Sequence, residues 1–205
     1  MKNRQLLMIP GPIEFDPAVL SALGAPTTSH LAPEFIEAFG QALDRMREIF
    51  LCEQGQPFVL AGSGTLAMDC AGANLVEPGD KALVINTGYF SQRFAALLER
   101  YGAEVTQVSA PVGGRPALEE VDAALQREAY KLVTITHVDT STAVMADVPG
   151  IAALARQTRA LVIVDGVCSV AGEDLCMDEW GIDVALTASQ KAIGVPPGLA
   201  LLVAG

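Results

Sequence analysis

Seven short apolar runs alternate with amphipathic stretches, and this alternation constrains the fold more than any other feature of the sequence. The runs cover residues 58–60, 82–85, 105–108, 132–135, 161–164, 184–186 and 199–203. Between them, apolar side chains recur at helical spacing, as in residues 94–101 and 118–125. Strands that alternate with helices predict an α/β fold, a three-layer sandwich whose mainly parallel central sheet is covered by helices on both faces.

The composition is consistent with a buried sheet and excludes some partners. Hydrophobic residues make up 51% of the 205 residues and charged residues 18%, as expected where both faces of a sheet are covered. The formal net charge is -11. This charge disfavours nucleic acid and anionic membranes as partners, because phosphate backbones and anionic surfaces need a basic face.

Two segments are expected along the chain. Residues 1–33 are rich in Pro, Gly, Thr and Ser, and they predict an irregular N-terminal arm that lies over a domain. Residues 34–205 predict a large domain. Its first helix is expected from Pro33 to near Phe50, because apolar side chains recur there at helical spacing: Ile36, Phe39, Leu43, Met46 and Phe50.

Targeting and metal signals are weak. The apolar part of the N-terminus is too short for a signal peptide, and no run approaches a membrane helix, so we expect a cytoplasmic protein without membrane association. Cys52, Cys70, Cys168 and Cys176 form no C-x-x-C pair, and the chain has two histidines. No metal is predicted, and the cysteines are interpreted as small buried side chains in a reducing compartment.

The segment Gly62-Ser63-Gly64-Thr65 follows a predicted strand and opens a predicted helix. Free N–H groups and the positive dipole end at a helix N-terminus suit a phosphate. A plain turn with a helix cap is an equal alternative. With Ala67 the segment also fits a variant dinucleotide fingerprint, but that motif needs an acid at the end of the next strand, where Asn86-Thr87-Gly88 stands.

Two further residues follow apolar runs. Asp165 ends one run, at the position where side chains at the carboxyl end of a parallel strand face a ligand. Lys191 follows another run among small and apolar neighbours. Asp165 could instead cap a turn, and most lysines are surface residues. Pyridoxal phosphate, however, needs three attachments, and the sequence offers a candidate for each. Lys191 could anchor the aldehyde, Asp165 could pair with the ring nitrogen, and residues 62–65 could hold the phosphate.

The chain resembles the class V aminotransferases of the fold-type I pyridoxal-phosphate enzymes, and among them the alanine–glyoxylate and serine–pyruvate aminotransferase group. The resembling segments follow the family's order over nearly the whole chain. They are Ile9-Pro10-Gly11-Pro12, Thr28-Ser29-His30, Gly62-Ser63-Gly64-Thr65, Asn86-Thr87-Gly88-Tyr89-Phe90-Ser91-Gln92-Arg93, Thr136-His137-Val138-Asp139-Thr140-Ser141-Thr142, Val164-Asp165-Gly166-Val167 and Ser189-Gln190-Lys191-Ala192.

The resemblance implies a role for each matching residue. Lys191 would form the aldimine with pyridoxal 5'-phosphate and shuttle protons, and Asp165 would pair with the ring nitrogen. Phe90, where many members have tryptophan, and Val167 would cover the two ring faces. Thr140, where relatives often have serine, would bond near the phenolic oxygen. The phosphate would be bound by Ser63, Gly64, Thr65 and Gln190, and the substrate carboxylate would lie beside Pro10 and Gly11.

The resemblance also implies an activity. It is transamination by a ping-pong mechanism, from alanine or serine to glyoxylate or pyruvate, in a homodimer of the full-length protein. Family members continue past residue 205 into a smaller C-terminal domain that supplies a substrate-binding arginine. We therefore expect the arm and large domain of a longer enzyme, so that residues 34–205 are a truncated PLP-binding domain. A catalytically incomplete fragment, another class V activity such as cysteine desulfuration, and a nucleotide-binding domain are the alternatives.

Overall fold

The computed structural model describes residues 5–205; residues 1–4, the start of the predicted arm, lie outside the described range. The strands are β1 (Gln56–Ala61), β2 (Lys81–Asn86), β3 (Glu104–Ser109), β4 (Leu132–Thr136), β5 (Val138–Asp139), β6 (Val144–Met145), β7 (Leu161–Asp165), β8 (Val184–Ala188) and β9 (Leu199–Ala204). The helices are α1 (Pro17–Leu23), α2 (Pro33–Phe50), α3 (Gly64–Leu75), α4 (Tyr89–Arg100), α5 (Leu118–Arg127), α6 (Val148–Arg156) and α7 (Met177–Trp180).

The central sheet has seven strands in the order β1-β9-β8-β7-β4-β2-β3. Neighbours from β8 to β3 are parallel, whereas β9 runs antiparallel to both β8 and β1. Each of the seven predicted apolar runs lies within one of these strands. The predicted α/β class with a mainly parallel sheet is therefore confirmed.

Both faces of the sheet are buried, and alternate residues of one strand show this directly. In β2, Leu83 and Ile85 belong to one hydrophobic cluster, and Ala82 and Val84 belong to the other. Helices α5 and α6 cover the first face, and α3 and α4 cover the second. A strand buried on both faces reads as a continuous apolar run, which is why these strands could be predicted.

Helix α2 has the predicted bounds, with Pro33 in its first turn and Leu51 ending it in the left-handed region. The prediction that residues 1–33 are wholly irregular is wrong for residues 17–23, which form α1. Its signals are local: Pro17 starts the helix, and Asp16 Oδ1 accepts a hydrogen bond from Ala18 N at 2.7 Å. Since α1 buries no side chain, its sequence carries little apolar periodicity.

A small hairpin of β5 and β6 was not predicted. It leaves the carboxyl end of β4 and pairs Val138 with Met145 and Asp139 with Val144. Two residues a strand are too few to produce a visible alternation. The hairpin nevertheless places Asp139 and Thr140 beside the ends of the parallel strands.

None of the helices in residues 5–205 combines the length and the apolar character needed to cross a membrane. Within the same range, no group of three or more His, Cys, Asp or Glu side chains is arranged to hold a metal ion.

Candidate active site

A cleft with about 600 Å³ of empty volume, part of which is open to solvent, lies at the carboxyl ends of β4 and β7. The N-terminal turns of α3 and α4 form further walls. The lining residues are Ser63, Gly64, Thr65, Met68, Phe90, Thr136, Val138, Thr140, Asp165, Val167, Cys168, Gln190 and Lys191. All nine residues that were predicted to contact a cofactor are among them.

The phosphate-cradle candidate lies at the start of α3. Ser63 is the capping residue of α3, but its side chain makes no capping hydrogen bond. The first N–H groups of the helix therefore donate no hydrogen bond to the Ser63 side chain. Gly64 is buried, and a Cβ there would stand 2.8 Å from Val167 Cγ2. Only a residue without a side chain allows the helix to approach Val167 this closely.

Asp165 ends β7 and is 3% exposed. One carboxylate oxygen, Oδ1, accepts a hydrogen bond from Val167 N at 3.0 Å. Burial raises the pKa of Asp165 to about 7; the Val167 N–H opposes this rise, and the charge of Asp139 adds to it. A carboxyl group whose burial makes its charge this costly is well suited to pair with a cation that enters the cleft.

Lys191 follows β8 and reaches back toward the N-terminal segment. Its Nζ donates to the carbonyl oxygen of Pro10 at 3.1 Å. Gly11 has a φ of +134°, and a Cβ there would lie 2.6 Å from Lys191 Cδ. The predicted substrate residues Pro10 and Gly11 therefore lie directly against the lysine, although they do not line the cleft itself.

The loop that carries Lys191 is fixed by its own hydrogen bonds. Ser189 Oγ donates to Pro196 O at 2.7 Å and accepts from Leu199 N at 3.3 Å. On the other side of the loop, Ile13 N donates to Gln190 O at 3.3 Å. The lysine and the adjacent Gln190 are thus held by the start of β9 and by the N-terminal segment together.

Four lining residues were missed: Met68, Thr136, Val138 and Cys168. Thr136 is 3% exposed, and its Oγ1 has no hydrogen-bond partner within residues 5–205. It lies beside Asp165 in the register of β4 and β7. Cys168 Sγ lies 2.5 Å from Thr140 Oγ1. The position of Thr136 at the end of a predicted buried strand, the same signal that indicated Asp165, could have identified it.

Comparison with known proteins agrees with the resemblance seen in the sequence. The family model for class V aminotransferases matches residues 19–204. Alanine–glyoxylate aminotransferase 1 of Saccharomyces cerevisiae is 44% identical, over 98% of this chain and 54% of the relative. L-Aspartate–glyoxylate aminotransferase of Paracoccus denitrificans is 36% identical, over 98% of this chain and 52% of that relative.

A solved structure of alanine–glyoxylate aminotransferase from a Nostoc species superposes with a TM-score of 0.94 at 33% identity, over all of this chain and 55% of that one. The chain thus spans about half the length of the curated relatives it matches.

Proposed function

The chain belongs to the class V aminotransferases, and on this basis we propose that it binds pyridoxal 5'-phosphate as part of an enzyme that transfers an amino group from alanine or serine to glyoxylate or pyruvate. The observation that carries the proposal is a single cleft lined by Lys191, Asp165 and the α3 N-terminus. The family implies the cofactor. Relatives named alanine–glyoxylate and L-aspartate–glyoxylate aminotransferase support glyoxylate as acceptor.

The residues of the cleft fit this cofactor. The uncapped N-terminus of α3 suits a phosphate, and the buried carboxylate of Asp165 suits a protonated ring nitrogen. Thr136 lines the same cleft, and its buried hydroxyl has no partner among the described residues. A buried polar atom without a partner is costly, so a ligand that bonds to it would be favoured.

When bound, the cofactor supplies an aldehyde that reacts with amines and a ring that delocalises negative charge. Lys191 Nζ would hold this aldehyde. Once the amine of the substrate has displaced it, the freed Nζ would take the proton from the α carbon of the substrate and return it. Asp165 would pair with the ring nitrogen and hold a proton there. Because the amino group is carried between two substrates in turn, the expected kinetic order is ping-pong.

The remaining lining residues position the reactants. We assign phosphate binding to Ser63, Gly64, Thr65 and Gln190. Phe90 and Val167 would cover the two faces of the ring, and Thr140 would donate near its phenolic oxygen. Pro10 and Gly11 lie against Lys191, where the substrate carboxylate would approach.

Borohydride reduction of the chain with pyridoxal phosphate, followed by peptide mass spectrometry, tests the site. We expect a pyridoxyl group on Lys191 and its loss in Lys191→Ala. Lys81 and Lys131 are internal controls, since they pair with Glu128 at 2.9 Å and Asp80 at 2.6 Å. A pyridoxyl group on either control lysine in place of Lys191 would refute the assignment.

A catalytically incomplete cofactor-binding chain is the second candidate, and the observation that favours it is the share of its relatives that the chain spans. Turnover of alanine and glyoxylate by the 205 residues separates the two candidates. Cofactor binding with no turnover supports the second, whereas release of sulfur from cysteine would indicate a desulfurase.

The proposal extends to a homodimer of the full-length protein in a reducing compartment such as the cytoplasm. Apolar side chains on the outer face of α2 support the dimer: Phe35, Ile36 and Phe39 are 41%, 56% and 41% exposed. Four free cysteines support the compartment. Sedimentation of the purified protein tests the dimer, and a purely monomeric species would contradict it.

A further inference from the structure

Asp139 accepts five hydrogen bonds although its side chain is fully buried. Its Oδ2 accepts from Phe90 N at 3.0 Å, from Ser91 N at 3.2 Å and from Ser91 Oγ at 3.1 Å. Its Oδ1 accepts from Ser141 N at 3.0 Å and Ser141 Oγ at 2.6 Å. The three backbone N–H groups are fixed donors, so an acceptor-only carboxylate fits this position.

These contacts cap helix α4 from a distant part of the chain. The capping residue Gly88 has no side chain to offer. Instead, Ser141 Oγ accepts from Tyr89 N at 2.9 Å, while Asp139 accepts from the next two residues of the first turn. A carboxylate at a helix N-terminus satisfies free N–H groups and interacts favourably with the helix dipole.

Asp139 thereby joins two segments that each carry a wall of the cleft. Phe90 bonds to Asp139 through its own N–H, and Thr140 lies between Asp139 and its second partner, Ser141. The approach is close: a Cβ on Gly88 would stand 2.5 Å from Ser141 Oγ and 2.7 Å from Asp139 Cγ. The position of Phe90 relative to Thr140 therefore depends on this carboxylate.

We propose that Asp139 is a positioning residue of the cofactor site, which fixes Phe90 and Thr140 relative to each other. This inference rests on the proposed function. The charge of Asp139 is also one cause, after burial, of the raised pKa of Asp165, and this electrostatic role gives the variants below a second readout. The other titratable groups that line the cleft are Lys191 and Cys168.

Two variants separate geometry from charge. Asp139→Asn keeps the size of the side chain but removes the charge. One carboxylate oxygen becomes an NH2 group, which would point at the N–H and O–H donors that this oxygen accepts from. Ser141→Ala removes the Ser141 hydroxyl from both Tyr89 N and Asp139 and leaves the charge in place. Cofactor affinity and the circular dichroism of the bound cofactor report geometry. A carbon NMR titration of Asp165 in the cofactor-free protein reports charge.

We expect Asp139→Asn to weaken cofactor affinity on the order of tenfold, to reduce the cofactor dichroism and to lower the Asp165 titration midpoint. Ser141→Ala should weaken affinity by a few fold and leave the Asp165 midpoint unchanged. A purely structural role for Asp139 would not move that midpoint.

A folded Asp139→Asn protein with parental affinity and dichroism would overturn the positioning role, and an unmoved Asp165 midpoint would overturn the electrostatic role. If Asp139→Asn does not fold, unchanged affinity and dichroism in Ser141→Ala overturn the proposal. Failure of the parent chain to bind the cofactor counts against the proposed function instead, and the titration then still decides whether Asp139 acts on Asp165.

Discussion

Gly64 at the start of α3 faces Val167 so closely that a Cβ on the glycine would stand 2.8 Å from Val167 Cγ2. The two residues belong to different walls of the cleft, one in the proposed phosphate cradle and one in the loop after β7. Their contact sets the distance between the proposed phosphate site and the proposed ring site.

Gly64→Ala should therefore displace Val167 and weaken cofactor binding by roughly tenfold, with overpacking that costs about 1–3 kcal/mol of stability. Gly40→Ala in α2 is the matched control, because nothing lies within 4 Å of its added Cβ. Replacing a glycine inside a helix should stabilise the protein by about 1 kcal/mol and leave binding unchanged. Cofactor titration and denaturant unfolding measure both effects, and equal binding losses would show that the Gly64 contact is unimportant.

Asp165→Asn should stabilise the cofactor-free protein above pH 7 while weakening its affinity for the cofactor. The folded pKa of Asp165 is about 7 and the ordinary value is 3.8. Between these values the folded state keeps a proton that the unfolded state has lost, so the parent loses stability as pH rises, by up to about 4 kcal/mol. The Asp165→Asn variant has no titrating group at this position, so it does not lose this stability as pH rises.

Denaturant unfolding at pH 4, 5.5, 7 and 8 checks this prediction. The stability difference between Asp165→Asn and the parent should grow from pH 4 to pH 7 and level off above. A difference that is constant across this range would mean that Asp165 titrates normally in the folded protein.

Much of the fold could be predicted because burial on both faces leaves a continuous apolar run, as at residues 161–164. The β5–β6 hairpin could not be, since two residues a strand carry no periodicity. Helix α1 was missed because it depends on the cap at Asp16 and buries no side chain.

The candidate site shows the same division. Asp165 and Lys191 were predicted because each follows an apolar run, where a polar residue faces a ligand. Asp139 lies at the same edge, but its partners Phe90 and Ser91 are 49 and 48 positions away. A contact of that separation leaves no local pattern in a single sequence. The sequence predicts Cys168 to be a small buried residue, which is wrong: it is only half-buried and lies against Thr140, 28 positions away.

Bound cofactor should protect Cys168 from alkylation. Its thiol lines the cleft and lies against Thr140, the proposed partner of the phenolic oxygen. We expect pyridoxal phosphate to slow iodoacetamide labelling of Cys168 by about tenfold or more. The fraction of protein with bound cofactor limits how far the labelling rate can fall. Cys70, on α3 outside the cleft, serves as the control in the same digest. Equal protection of both cysteines would indicate a global change in place of direct cover.

Thr136→Val tests whether the unpartnered hydroxyl in the cleft serves the cofactor. Thr134 and Thr136 both lie in β4 with buried Oγ1 atoms that have no partner among the described residues, but only Thr136 lines the cleft. Removing a buried unsatisfied hydroxyl should stabilise the cofactor-free protein by about 1 kcal/mol, so both Thr134→Val and Thr136→Val should gain stability. Only Thr136→Val should also lose cofactor affinity, by several fold, because the lost hydroxyl would otherwise bond to the cofactor or to a water beside it. Thermal unfolding and cofactor titration of the two variants give the answer, and parental affinity in Thr136→Val would remove Thr136 from the binding site.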